Sequence, residues 1–199
     1  HRVVVLDSLE PQVHGSGCSK PEYMNPAAEF IRGDITDAEL LWKCMKDADI
    51  IFHEAARVGV AQSMYEIADY ARINSVGTAI LLDHLVNHRR EHHIRKVLVA
   101  SSMSIYGEGP YRTADGEIIH PALRPDEQMA KAIWDMLDPE TAAPLSAMPT
   151  PETKPLEPTS VYAITKRDQE EMVLSVCRAY RIPGVALRYF NIYGPRQSL

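Results

Sequence analysis

Short, mainly β-branched apolar runs that stop at an acid, an imidazole or a hydroxyl, with helix-periodic stretches between them, constrain this chain more than any other feature. Val3, Val4, Val5 and Leu6 run without interruption into Asp7, Ile50 to Phe52 into His53, and Val97 to Ala100 into Ser101 and Ser102. A continuous apolar run suits a strand buried on both faces, which is the condition of strands in parallel sheets. The pattern predicts strands over His1 to Asp7, Glu29 to Arg32, Asp49 to His53, Lys96 to Ala100 and Val185 to Tyr189. Between them, Ile73, Val76, Ile80, Leu81 and Leu85 recur at helical spacing within Ile67 to Asn87. Further helices are predicted from Thr36 or Asp37 to Lys46 and from Ser160 to Tyr180, while Ser8 to Pro26 reads as turns. Strands that alternate with helices specify an α/β fold, a doubly wound parallel sheet that binds ligands at the carboxyl ends of its strands. A strand of this kind needs neighbours, so a chain opening on one is expected to lack an earlier strand and helix.

With 199 residues, 45% of them apolar, the chain is long enough for one globular core. A formal charge of -6 argues against a basic surface for nucleic acid or anionic membrane. No apolar stretch or leader pattern indicates a membrane span or export, so a cytoplasmic protein is expected. The three cysteines, Cys18, Cys44 and Cys177, lack the spacing of a disulfide framework or zinc site. His88, His92 and His93 lie in an Arg-containing polar run that reads as a solvated helix end, so no metal is expected.

From Gly109 to Pro158 the texture changes, for nine of the fourteen prolines fall there. Only Glu127 to Leu137 suggests a helix. The segment reads as an insertion, residues 109–158, forming either a lid or a small subdomain.

The chemistry-bearing residues sit at the ends of the predicted strands. Asp7 is placed to accept the ribose hydroxyls of an adenosine, and an acid there favours NAD over a cofactor with an extra phosphate; alternatively it begins a turn. Gly33, Asp34 and Ile35 would set a carboxylate and an apolar side chain beside an adenine, and Ala55 and Ala56 would let backbone approach a cofactor. Tyr162 and Lys166 are one helical turn apart and share a face. An ammonium beside a phenol favours the phenolate, which makes Tyr162 a usable general base for a sugar hydroxyl. Ser102, ending a buried strand, is placed to hydrogen-bond the same reacting oxygen.

Taken in order, strand-Asp7, Gly33-Asp34, His53 to Ala56, Asn74 to Gly77, Ser101-Ser102 with Tyr106-Gly107, Tyr162 with Lys166, and Leu187 to Arg196 resemble the signatures of the extended short-chain dehydrogenases/reductases, the sugar-nucleotide epimerase and dehydratase group. The resemblance implies a Rossmann-like sheet, incomplete at both ends: the glycine-rich first loop and the carboxyl-terminal substrate domain have no counterpart here. It implies NAD contacts from Asp7, Asp34, Ile35, Ala55, Ala56, Asn74, Tyr162, Lys166, Tyr189 and Phe190. Ser102, Tyr162 and Lys166 would form the catalytic set, and Asn191 and Arg196 would join Ser102 and Tyr162 in holding a dTDP- or UDP-linked sugar. Arg188 is expected to pair with a carboxylate inside the fold.

Dehydratases of this group carry Thr-Asp-Glu where this chain has Ser102-Met103-Ser104, and neither Met103 nor Ser104 can manage protons for loss of water. Epimerisation at C4 is therefore favoured. The Ala100 to Gly109 run and Tyr162 to Glu171 most resemble dTDP-L-rhamnose 4-epimerases, with UDP-glucose 4-epimerases close behind. Cysteine pairs expected in the insertion of such relatives are absent between Gly109 and Pro158. A keto-sugar reductase or 4,6-dehydratase of the same group and a non-catalytic nucleotide-binding scaffold are the alternatives. Relatives suggest a homodimer of full-length subunits, packed through the helices near Ile73 to Asn87 and Ser160 to Tyr180. The chain as given is expected to be an inactive fragment.

Overall fold

The computed structural model describes residues 1–195. These divide into two compact units, one made of His1–Met103 with the segment from Ser160 onward, the other of Ser104–Thr159.

In the first unit, strand β1 (Val4–Asp7) leads through a single-turn helix α1 (Pro11–His14) to β2 (Glu29–Arg32), helix α2 (Ala38–Met45) and β3 (Ile50–His53). Asp37 caps α2 by accepting from the Leu40 N–H at 3.0 Å, so the helix starts two residues into the predicted segment. The segment predicted as one helix over 67–87 is continuous but not uniform. A turn of α-helix, α3 (Ile67–Tyr70), widens into a π-turn at Ala71–Val76 and resumes as α4 (Gly77–Asn87). Strand β4 (Lys96–Ser102) runs two residues further than predicted.

The second unit supplies β5 (Tyr111–Arg112), β6 (Ile118–Ile119), helix α5 (Asp126–Ala130) and β7 (Ser146–Ala147). The chain then returns to the first unit as α6 (Val161–Tyr180) and β8 (Gly184–Tyr189). Ser160 caps α6 through the Ala163 N–H at 3.1 Å. Arg181, left-handed at φ 58°, ends the helix.

All pairing in the first unit is parallel. β1 pairs with β2, and β4 lies between β3 and β8 in a separate three-stranded sheet. Residues in register share a face, which sorts the three-stranded sheet cleanly. Ile51, Val97, Val99 and Ala186 meet Leu81, Leu85, Val173 and Cys177 in the core beneath α4 and α6. Burying each large side chain contributes about 1.5–3 kcal/mol. The opposite face leaves Ile50, Phe52, Leu187 and Tyr189 exposed. At Gly77, the first residue of α4, a Cβ would lie 2.5 Å from Ile35 Cγ2, so any larger residue would force Ile35 to move.

The second unit is an antiparallel sheet ordered β6-β5-β7, with pairing limited to two residues per strand. Helix α5 ends at Ala130, well short of the predicted Leu137; Ala132, at φ 55°, turns the chain out of the helix. The unit closes on Lys154, whose side chain is fully buried. Its ammonium donates to the carbonyls of Tyr106 at 2.7 Å and Pro155 at 3.0 Å and to Glu157 Oε2 at 2.8 Å. Gly107, at φ +69°, passes so close to the Glu157 carbonyl that a Cβ would collide with it.

Candidate active site

Parallel pairing brings the carboxyl ends of β3, β4 and β8 to one edge of their sheet, and those of β1 and β2 to one edge of theirs. At the end of β1, Asp7 Oδ1 accepts from the Leu9 N–H at 2.7 Å, which holds Leu9 at φ 54° with its side chain buried. Asp7 thus organises a turn, and its carboxylate is still 40% exposed at the strand end. After β2, Asp34 Oδ1 accepts from the Thr36 N–H at 2.8 Å and the Thr36 hydroxyl at 2.7 Å. The side chain of Ile35 lies in the hydrophobic core, whereas the sequence reading has it as an apolar wall for an adenine. After β3, Ala55 is exposed and Ala56 half-buried, and neither puts bulk on the edge.

On α6, Tyr162 is half-buried and Lys166 is buried on the same face. The ring of Tyr70 meets that of Tyr162 edge-on at 6.5 Å and 89°. Tyr70 is itself fixed by its hydroxyl, which donates to the Val58 carbonyl at 2.6 Å. Burial lowers the Lys166 ammonium to about 8, against the opposing pull of the Glu54 carboxylate. Lys166 Nζ donates to Gln169 Oε1 at 2.9 Å. Helix α6 packs along β4, where Ser102 is buried at the last position of the strand, in register with Tyr189. The neighbouring Ser101 Oγ is buried without a hydrogen-bond partner among the described residues.

Asn74, expected to touch a cofactor, is fully buried and serves as a tie. The π-turn aims its amide sideways: Oδ1 accepts from the Arg57 N–H at 2.7 Å, and Nδ2 donates to the Arg57 carbonyl at 3.1 Å and to Thr165 Oγ1 at 2.9 Å. Tyr189, Phe190 and Asn191 are exposed at and beyond the end of β8. Arg196, expected to contact substrate, lies outside the described residues. Arg188 does pair inside the fold, with Glu170 of α6, at 2.6 Å from Nη2 and 3.1 Å from Nε.

Sequence reasoning missed the polar layer behind Lys166: His53, Thr78 and Gln169 are all buried and bonded to one another. Gln169 lies three residues beyond Lys166 and seven beyond Tyr162, a helical spacing that contained the signal. The histidine run also needs correction, because His92 is buried, with Nε2 at 3.0 Å from the Leu85 carbonyl and Nδ1 accepting from the Ile94 N–H at 3.1 Å. Trp42 stacks on His88 with centroids 4.4 Å apart. Among the described residues there is no cluster of metal-ligating side chains, and no helix is long and apolar enough to cross a membrane.

Comparison with known proteins bears on this arrangement. The sequence model of the NAD dependent epimerase/dehydratase family matches residues 1–128 and 139–198. A dTDP-L-rhamnose 4-epimerase of Burkholderia thailandensis is 38% identical over 200 residues, which is 100% of this chain and 53% of that protein. Among solved structures, a UDP-glucose 4-epimerase of Thermotoga maritima with UDP-glucose superimposes with TM-score 0.68 at 26% identity, covering 98% of this chain and 50% of its own. A dTDP-glucose 4,6-dehydratase double mutant of Streptomyces venezuelae with NAD bound gives TM-score 0.67 at 26% identity, covering 98% and 48%. The chain therefore spans about half the length of these relatives.

Proposed function

Because the chain belongs to the NAD dependent epimerase/dehydratase family, we propose that it forms the cofactor-side half of a nucleotide-sugar 4-epimerase. The observation that carries this reading is the pairing of half-exposed Tyr162 with buried Lys166 on α6, alongside the strand that ends in Ser102.

The residues fit an NAD site at its two ends. Asp7 presents an exposed carboxylate for ribose hydroxyls, and Ala55 and Ala56 leave room at the edge of β3. Tyr162 and Lys166 belong to the nicotinamide end, with Tyr189, in register with Ser102 at the end of β8, and the following Phe190. Bound NAD supplies the hydride acceptor and donor at the sugar C4. Tyr162, held as a phenolate by the charge of Lys166, takes the proton of the 4-hydroxyl and becomes a phenol, while Ser102 hydrogen-bonds the same oxygen as it becomes a carbonyl. After the 4-keto sugar turns, Tyr162 returns the proton, so the protein ends each cycle in its starting protonation state.

Within the family, the relative from Burkholderia thailandensis, 38% identical across the whole chain, favours dTDP-L-rhamnose as substrate. Met103 and Ser104 replace the acid pair that dehydration needs, which counts against the dehydratase alternative despite the dehydratase among the structural relatives. We also infer a homodimer of full-length subunits through α4 and α6, since Val76, immediately before α4, and Ile164 of α6 are exposed.

The test uses the full-length protein from its source gene with catalytic NAD and dTDP-L-rhamnose, UDP-glucose and UDP-galactose in parallel. The expected result is a 4-epimer of the dTDP sugar with no net NADH, abolished by Tyr162→Phe. Net cofactor turnover would replace the reading with a reductase or dehydrogenase, and absence of turnover with every sugar would replace it with a binding protein.

A further inference from the structure

Gln169 is wholly buried, and a buried amide is costly unless each of its groups is bonded. Its surroundings fix which way the amide faces. The Thr78 hydroxyl has a single proton, and this goes to the Asn74 carbonyl one helical turn back. Thr78 Oγ1 is then free to accept from Gln169 Nε2 at 2.9 Å, and His53 Nε2 lies 2.7 Å from that hydroxyl and 3.1 Å from Gln169 Nε2, its role set by the imidazole tautomer. The second Gln169 N–H points to the Ala55 carbonyl at 3.4 Å. With its nitrogen committed on that side, the amide oxygen has to face Lys166, whose Nζ it meets at 2.9 Å.

His53 is neutral in this layer. Burial, aided by the positive charge of Lys166, holds its pKa down to about 3, so it adds no charge to the layer near neutrality. Among the described residues, Glu54 after β3 acts on Lys166, and Tyr70 of α3 meets the Tyr162 ring. The acid next to Gln169, Glu170, is already engaged by Arg188. A neutral acceptor therefore sits where a carboxylate would have cancelled the ammonium.

That distinction matters for a base at Tyr162. An ammonium activates a neighbouring phenol by its field, and a hydrogen bond from a neutral amide holds the ammonium in place without removing that field. We propose that Gln169 is a positioning residue for Tyr162: anchored by Thr78 and Ala55, its amide oxygen orients the Lys166 ammonium and preserves the positive charge that the phenol experiences. The proposal rests on Tyr162 acting as the general base, and it adds a residue that touches neither substrate nor cofactor.

The experiment reads the two titrations directly, in the full-length protein without sugar. Lys166 is followed by trace acylation and mass spectrometry across pH, and Tyr162 by the phenolate absorbance that disappears in a Tyr162→Phe background. Gln169→Glu should raise the Lys166 titration and move that of Tyr162 upward, each by about one pH unit, because the new carboxylate neutralises the ammonium. Gln169→Met, close in size and unable to accept a strong hydrogen bond, should move Lys166 downward; it serves as the reporter should the glutamate variant fold poorly. In turnover assays, Gln169→Glu should displace the alkaline-rising limb of kcat/KM by the same unit, about tenfold in rate at pH 7.

Unchanged Lys166 and Tyr162 titrations in a folded variant would overturn the proposal and leave Gln169 as core filling. Shifted titrations in a protein that turns over no sugar would uphold the positioning role and defeat only the epimerase reading.

Discussion

The parallel-sheet unit and the Ser104–Thr159 unit satisfy their polar groups with different materials. In the first, backbone ladders and helices carry much of the hydrogen bonding, and buried His53, Thr78 and Gln169 are bonded to one another in a layer between β3, α4 and α6. In the second, strands pair over two residues each, and much of the order comes from side chains reaching for charges or backbone carbonyls. Lys154 bonds two carbonyls, and Glu108 accepts from Tyr111 at 2.8 Å and Arg124 at 3.1 Å. The difference teaches where precision is available. A group fixed by neighbours on several regular elements can be held for chemistry, and every residue of the candidate catalytic set belongs to the first unit.

The comparison breaks or sharpens on four measurements. Leu85→Ala opens a cavity in the fully buried core of the first unit and should cost about 2–5 kcal/mol in denaturant unfolding. A loss under about 1 kcal/mol would mean that apolar packing does not govern that unit.

Lys154→Met removes the anchor of the second unit, and should cost about 1–3 kcal/mol there. Hydrogen exchange should quicken within Ser104–Thr159 and stay slow in β4; equal acceleration in β4 would show that the two units unfold together.

The third measurement is pH dependence. His53 has a folded pKa of about 3, below its ordinary value of 6.5, so between these limits the unfolded chain binds a proton that the folded one refuses. Stability is therefore complete above pH 6.5 and falls as the pH drops through that window, by about 1 kcal/mol between pH 6 and 5. His53→Gln should flatten this slope, and an unaltered slope would exclude His53 as its source. The smallest effect is expected at Trp134, 63% exposed in the second unit, where replacement by Ala should change stability by less than about 0.5 kcal/mol.

Much of the first unit was legible in the sequence. The apolar runs at Val3, Ile50 and Val97 located three strands, and the predicted helix starts at Thr36 or Asp37 and at Ser160 fall at or next to the residues that cap them. The Tyr162 and Lys166 spacing placed both on one helical face because 3.6 residues make a turn. The second unit was far less legible. Two-residue strands carry no detectable period, and a helix of five residues at Asp126–Ala130 gives a signal no longer than its own ends. The π-turn at Ala71–Val76 was hidden for a different reason: its apolar spacing still fits a helix, and only the direction of Asn74 betrays the extra residue.

By itself, then, the sequence determined the alternation of strand and helix, the parallel sheet, the acids and hydroxyls at the strand ends, and the shared face of Tyr162 and Lys166. Tertiary structure alone decided that Asn74 ties Arg57 to Thr165, that Ile35 turns into the core, and that Gln169 sits between Lys166 and Thr78. The reason is that periodicity reports which face of an element a residue occupies. What lies opposite that face depends on residues tens of positions away, and a buried polar group takes its role from the partner it meets there.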